Sequence, residues 1–199
     1  MSLVSRVKIC YDYLLRTLLE RGGSVRIANT VNDSIVDGPG LRFTIFTQGC
    51  PHHCPGCHNP DTHDPQGGRE VSVEELIDMM GKNPLIEGLT LSGGEPFAQA
   101  ADCARLAEAA HGVGWTVWTY SGYTFEHILA SQDPGWQALL RQTDVLVDGP
   151  FLQKEKSYEL RFRGSRNQRL IRVKESLAQG KVVLWSQPDL LAKFTVPES

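Results

Sequence analysis

A strand-like run, a loop and a helix-like stretch succeed one another about four times in this chain, and that order constrains the fold more than any other feature. Residues 41–47 (Leu-Arg-Phe-Thr-Ile-Phe-Thr) alternate and are rich in β-formers. Residues 88–91, 115–119 and 144–147 are further short strands, and 25–31 and 170–173 are candidates for two more. Ser72-Val73-Glu74-Glu75 is a capping box that opens a helix to about Met80. Residues 97–110 form an Ala-rich helix, and 124–130 and 136–140 read as two short ones. Residues 3–20 also carry apolar positions at near-helical spacing, ending before Gly22-Gly23. Alternation of strands and helices predicts an α/β domain built on a mostly parallel sheet with right-handed crossovers. Four repeats are too few for a closed eight-stranded barrel, so the expected architecture is an open partial (β/α) barrel, a half-barrel.

In such sheets, ligands bind beyond the carboxyl ends of the strands. Four loops at that position carry the distinctive residues: the cysteine loop after 41–47, Ser92-Gly93-Gly94-Glu95-Pro96, Tyr120-Ser121-Gly122-Tyr123, and Asp148-Gly149-Pro150-Phe151. They are expected to converge on one rim. The first holds Cys50, Cys54 and Cys57 at C-x3-C-x2-C spacing. Soft thiolates select zinc, copper(I) or iron–sulfur clusters. Three cysteines leave one iron of a cubane open to a substrate, whereas four close it for electron transfer. A structural zinc with His52, His53, His58 or His63 as fourth ligand is the competing reading. The Gly93-Gly94 pair lets backbone approach a ligand closely, and Glu95 offers an acceptor to a cationic group. The plainer reading is a β-to-α turn with Pro96 at the first helical position.

Composition narrows the setting. The 199 residues carry a net charge of −3, against a general binder of nucleic acid or of membrane surfaces. No apolar run of 18 or more residues occurs, so no membrane span is expected, and the N-terminus reads as a helix rather than a signal peptide. Five cysteines, three of them clustered, argue against a disulfide framework and for a cytoplasmic location. Cys10 and Cys103 read as small helix residues facing a core.

C-x3-C-x2-C followed by Gly-Gly-Glu-Pro resembles the radical S-adenosylmethionine enzymes. The resemblance implies a [4Fe-4S] cluster on Cys50, Cys54 and Cys57 whose open iron chelates the amino and carboxylate groups of S-adenosylmethionine. It implies that Gly93, Gly94, Glu95 and Pro96 receive the methionine end, with Glu95 near the ammonium. Asp37-Gly38-Pro39-Gly40-Leu41-Arg42 and Cys57-His58-Asn59 are similar to the activases of glycyl radical enzymes. The segments 117–123, 144–151 and 163–169 most resemble the activating component of anaerobic (class III) ribonucleoside-triphosphate reductase, with the pyruvate formate-lyase type as the nearest alternative. Two positions depart from the pattern: Gly56, where the superfamily usually has a bulky residue, and His63, where these activases often carry tryptophan.

The similarity runs from about residue 29 to 173. It implies a radical S-adenosylmethionine domain over 25–175, between an N-terminal helical extension (1–24) and a C-terminal extension of open role (176–199). It further implies cofactor contacts from His58, Asn59 and Ser121. Asp37 would lie near the partner's glycine loop unless it is a plain turn residue. Asp148 would bind a cation or the ligand unless it caps a loop. The implied partners are the glycyl radical subunit of the reductase and a flavodoxin-like electron donor. Other readings are a radical enzyme acting on a small molecule and a zinc-stabilised interaction module. The basic run from Lys154 to Lys174 reads as a solvated face or as a docking surface for an acidic partner.

Overall fold

The computed structural model describes residues 22–186. The helix expected over 3–20, with Cys10, lies outside them. Seven strands form one sheet: β1 (Ser24–Ser34), β2 (Arg42–Thr47), β3 (Arg69–Ser72), β4 (Gly88–Gly93), β5 (Thr116–Tyr120), β6 (Val145–Asp148) and β7 (Arg169–Arg172). Their order is β3-β1-β2-β4-β5-β6-β7. The sheet is open, with β3 and β7 at its edges. The central pairs β2/β4, β4/β5 and β5/β6 are parallel, as the β-loop-α order predicts. The flanking pairs β1/β2, β1/β3 and β6/β7 are antiparallel, so the sheet is mixed.

Among the described residues, five α-helices accompany the strands: α1 (Val73–Met80), α2 (Ala100–Gly112), α3 (Phe125–Ala130), α4 (Pro134–Gln142) and α5 (Val173–Gln179). Ser72 caps α1, its hydroxyl accepting from the Glu75 amide at 3.1 Å, as the capping box requires. The Ala-rich stretch begins one turn later than its composition suggests. Pro96–Gln99 is a 3-10 turn capped by Glu95, and the α-helix starts at Ala100. The Asp133 carboxylate accepts from the Gly135 and Trp136 amides to open α4.

Strand side chains alternate between two environments. Phe43, Ile45, Leu89, Leu91, Val117 and Leu146 face one side and join residues of α1, α2 and α4 in the main core. The other side is more polar. It buries Arg42, Thr44, Thr90 and Ser92. It also carries a small cluster of Trp118, Val145, Val147 and Leu170, packed against Tyr120, Phe162 and Trp185. Helices therefore cover one face, and the strand ends on the other face are left for a site.

Candidate metal centre

The cysteine loop is a closed lobe. The Gly49 amide donates to the Thr62 carbonyl (2.8 Å) and the Cys50 amide to the His63 carbonyl (3.2 Å), bringing the ends of residues 49–63 together. The Gln48 side chain donates to the Asp61 and Asp64 carbonyls and fixes its return limb. Gly49 and Gly56 hold positive φ angles of 92° and 73°, where a side chain would be strained. Within the lobe, the Cys57 amide donates to the Cys54 carbonyl (3.1 Å), and the Asn59 amide donates to Cys57 Sγ (3.3 Å).

All three cysteines are partly exposed and line one cavity of about 580 Å³, within the usual range for a small-molecule site. Its wall comes from each of the four rim loops. His58 and Asn59 join the cysteines, Gly93 and Gly94 follow β4, Ser121 and Gly122 follow β5, and Gly149 and Phe151 follow β6. Asp37 stands at the same cavity. The expected convergence on a single rim is thus present.

The glycines of the Gly-Gly-Glu-Pro segment are required by packing as well as by access. Gly93 has φ +94°, and a Cβ there would lie 2.6 Å from the Phe46 Cα. A Cβ on Gly94 would lie 2.4 Å from the Gly49 carbonyl oxygen. The Gly94 amide donates to the Thr47 carbonyl (2.8 Å) and the Glu95 amide to the Gly49 carbonyl (2.9 Å). This segment therefore lies directly against the root of the cysteine loop. Glu95 and Pro96 are buried and stand behind the cavity wall. The Glu95 carboxylate accepts from His52 Nε2 (2.8 Å), the Gly122 amide (2.9 Å), the Phe97 amide (3.0 Å) and the Ser121 hydroxyl (3.1 Å to each oxygen).

Asp148 is also buried. Its carboxylate accepts from the Phe125 amide at the start of α3 (2.7 Å) and is paired with Arg169, which also reaches Glu126. The Asp148 hydrogen bond pushes the Arg169 guanidinium up, with Glu126 adding to it, and Arg169 in turn holds the Glu126 carboxyl below its ordinary range. Asp37 accepts from the Ser34 hydroxyl, and its carbonyl accepts from the Thr90 hydroxyl at 2.9 Å. His58 packs against Phe151, ring centroids 4.8 Å apart.

Several wall residues are not singled out as site candidates by the sequence, although Tyr120, Arg163 and Gln168 lie in segments that carry the resemblance. Val31, Phe46, Tyr120, Phe162, Arg163 and Gln168 all line the cavity. Phe46 and Tyr120 could have been found from strand alternation, since each shares the parity of a residue on the polar face. Arg163 and Gln168 could not, because a folded loop rather than a strand carries them: Gln168 Oε1 accepts from the Gly164 amide (2.8 Å) and its Nε2 donates to the Gly149 carbonyl (3.1 Å).

The donor set fits an iron–sulfur cube. The thiols face a common space, and one sulfur already receives a backbone N–H, as cluster sulfurs do. Burial pushes the Cys50 thiol up, so ligation there releases a proton. Among the described residues, no three His, Cys, Asp or Glu side chains gather tightly enough to hold a single metal ion. A cube is wider, and each of its thiolates meets a different iron.

Residues 36–171 match a family model described as a 4Fe-4S single cluster domain, a span that includes every cavity residue except Val31 and Ser34. Fold and site thus define a 4Fe-4S single-cluster protein. The chain is 36% identical over 143 residues to the anaerobic ribonucleoside-triphosphate reductase-activating protein of Vibrio cholerae, covering 67% of this chain and 89% of that protein. The Escherichia coli K12 protein of the same name is 35% identical over 142 residues, covering 67% and 90%. The pyruvate formate-lyase-activating enzyme of Staphylococcus epidermidis is 33% identical over 161 residues, covering 75% and 62%. The chain belongs to the family of anaerobic ribonucleoside-triphosphate reductase-activating proteins, among the radical S-adenosylmethionine activases of glycyl radical enzymes.

Proposed function

We propose that this protein generates the glycyl radical of an anaerobic ribonucleoside-triphosphate reductase by reductive cleavage of S-adenosylmethionine. The observation that carries the reading is the meeting of Cys50, Cys54 and Cys57 with Gly93 and Gly94 around one cavity. The three thiolates would hold a [4Fe-4S] cluster and leave one iron open. When bound and reduced, that cluster supplies one electron to the sulfonium, giving methionine and a 5′-deoxyadenosyl radical that takes a hydrogen atom from a glycine Cα of the partner. The chain's own residues position, shield and admit. Gly93 and Gly94 bring bare backbone to the methionine end, and Ser121, His58 and Asn59 border the same space. Phe46, Val31 and Phe162 supply apolar wall that keeps water from a reactive radical. Asp37 stands where a partner segment would enter.

Hydrogen-atom abstraction needs no protein acid or base, so the cavity's thiols and glycines suffice for the chemistry. The sheet, open at both edges and helix-covered on one face, suits a half-barrel over about residues 25–175, onto which the stretch through α5 to Trp185 also packs. A flavodoxin-like one-electron donor would suit the low potential the cleavage demands, and the clustered, unpaired cysteines suit a cytoplasmic setting. No helix of the described residues is long and apolar enough to cross a membrane.

The test is anaerobic reconstitution followed by reaction with dithionite and S-adenosylmethionine, with 5′-deoxyadenosine measured alone and the glycyl radical measured with the reductase added. Cys50→Ala, Cys54→Ala and Cys57→Ala should each remain folded and yield no 5′-deoxyadenosine. Full cleavage in any of the three overturns the cluster assignment. Radical formation on a pyruvate formate-lyase but not on the reductase would reassign the partner.

A further inference from the structure

The Glu95 carboxylate is fully buried, and its donors come from three separate loops. Phe97 belongs to its own turn, His52 to the cysteine loop, and Ser121 and Gly122 to the loop after β5. A carboxylate offers about four lone-pair directions. Phe97 and Ser121 occupy one oxygen, and His52 and Gly122 occupy the other with Ser121 shared. No direction is left for a ligand's ammonium. The fit around His52 is close: a Cβ on Gly122 would lie 2.3 Å from the imidazole Cδ2, and the Tyr123 ring meets the imidazole edge-on at 4.4 Å. His52 itself sits between Cys50 and Cys54 and lines the cavity.

We infer that Glu95 and His52 form a positioning pair that sets the cysteine loop against the Gly93–Gly94 backbone, and that Glu95 does not touch the ligand. The inference rests on the iron–sulfur reading above. Two backbone bonds, Gly94 to Thr47 and Glu95 to Gly49, already hold the root of the loop. The side-chain pair extends that hold to the segment between the first two cysteines. It thereby fixes the distance between the open iron and the backbone that receives the methionine end. The acid of the Gly-Gly-Glu-Pro segment is turned inward, as an anchor shared by three loops.

The experiment compares wild type, His52→Ala, His52→Gln and Glu95→Ala after anaerobic reconstitution. Three quantities are read: iron lost to a chelator, the electron paramagnetic resonance line shape of the reduced cluster, and S-adenosylmethionine affinity per intact cluster. His52→Ala and Glu95→Ala should surrender iron about 10–100-fold more readily and broaden the signal, as loss of a group that orients metal ligands does. His52→Gln keeps an N–H for Glu95 and should restore retention and line shape. A Glu95→Ala protein that holds its cluster like wild type and loses only affinity for S-adenosylmethionine would overturn the inference, because the carboxylate would then be a ligand contact. Should Glu95→Ala not fold, the His52 variants decide: equal iron retention in His52→Ala and wild type contradicts the pair. Failure of wild type itself to assemble a cluster is a different result, which removes the functional reading and this inference with it.

Discussion

Arg42 answers its buried charge with carbonyls and hydroxyls rather than a carboxylate. It donates to the Thr90 hydroxyl (2.6 Å), the Leu89 and Thr116 carbonyls (2.6 and 3.0 Å), the Thr116 hydroxyl (3.1 Å) and the Pro39 carbonyl (3.3 Å). Burial pulls its pKa down to about 10, which still leaves it charged at neutral pH. The turn that carries Asp37 rests on this side chain: a Cβ on Gly38 would lie 2.6 Å from Arg42 Cδ. Arg42→Met should therefore cost about 3–5 kcal/mol, since the carbonyls it serves lose their donors in a buried site. Arg42→Lys should also destabilise, because three donors on a point charge cannot match a planar fork. Urea unfolding measures both, and a cost for Arg42→Met below about 1 kcal/mol would contradict this account. Gly93→Ala should cost about 1–3 kcal/mol from its positive φ alone, with the contact on Phe46 adding to it. At this scale the sequence is informative where one short segment carries the chemistry, as with the three cysteines or the Gly-Gly pair. The role of Glu95 is not legible in its motif, because His52 and Ser121 stand 43 and 26 residues away.

The elements that escape sequence reading are those with the least apolar periodicity. β3 (Arg-Glu-Val-Ser) buries only Val71, and it is a strand because its backbone pairs with Ser24–Ile27. That pairing also gives the sheet an antiparallel margin which a β-loop-α order does not announce. α5 buries only Val173 and Ser176, too few positions for a helical pattern to show. The parallel centre is legible because its strands are short runs of β-formers, each followed by a distinctive loop and, for most, a helix-like stretch. One polar clamp holds four of these elements. His111 in α2 bonds Asp144 (2.9 Å) and Gln142 of α4 (2.9 Å), and Asp144 accepts from Lys174 of α5 (2.6 Å) and the β5 amide of Val117 (2.7 Å). Its hydrogen bond to Asp144 lifts His111 above the ordinary 6.5. Burial opposes ionisation of Asp144, yet bonds from His111, Lys174 and Val117 prevail and hold it at about 2, below its ordinary 3.8. A raised histidine contributes fully below its unfolded pKa and less as pH rises through the folded one; a lowered carboxylate contributes above its unfolded pKa and less as pH falls through the folded one. The clamp should thus be strongest between about pH 4 and 6.5. The stability gap between wild type and His111→Ala should peak in that window and narrow above it. A gap that widens towards pH 8 would contradict the assignment.

For the whole molecule, the question is what meets the open cavity. Much of the basic run at 154–174 is answered within the chain: Arg166 by Glu159, Arg169 by Asp148 and Glu126, Arg172 by Glu175, and Lys174 by Asp144. Composition counts these charges but cannot see their partners, so the run reads as more cationic than the folded surface is. Lys154 and Lys156, the latter with its ammonium 4.9 Å from the centroid of the Tyr158 ring, are the cations to test for docking. Lys154→Glu with Lys156→Glu should weaken partner binding at low salt more than at high salt, and an effect independent of salt would remove the docking role. The rim itself was the most legible large-scale feature, since every strand of the parallel centre ends in a loop of distinctive chemistry and the topology brings those ends together. The most direct measurement is anaerobic iron and sulfide content, with electron paramagnetic resonance of the reduced protein recorded without and with S-adenosylmethionine. The account predicts a cubane signal that changes when S-adenosylmethionine is added. Tight zinc with no reconstitutable cluster, or a cubane signal that S-adenosylmethionine leaves unaltered, would contradict it.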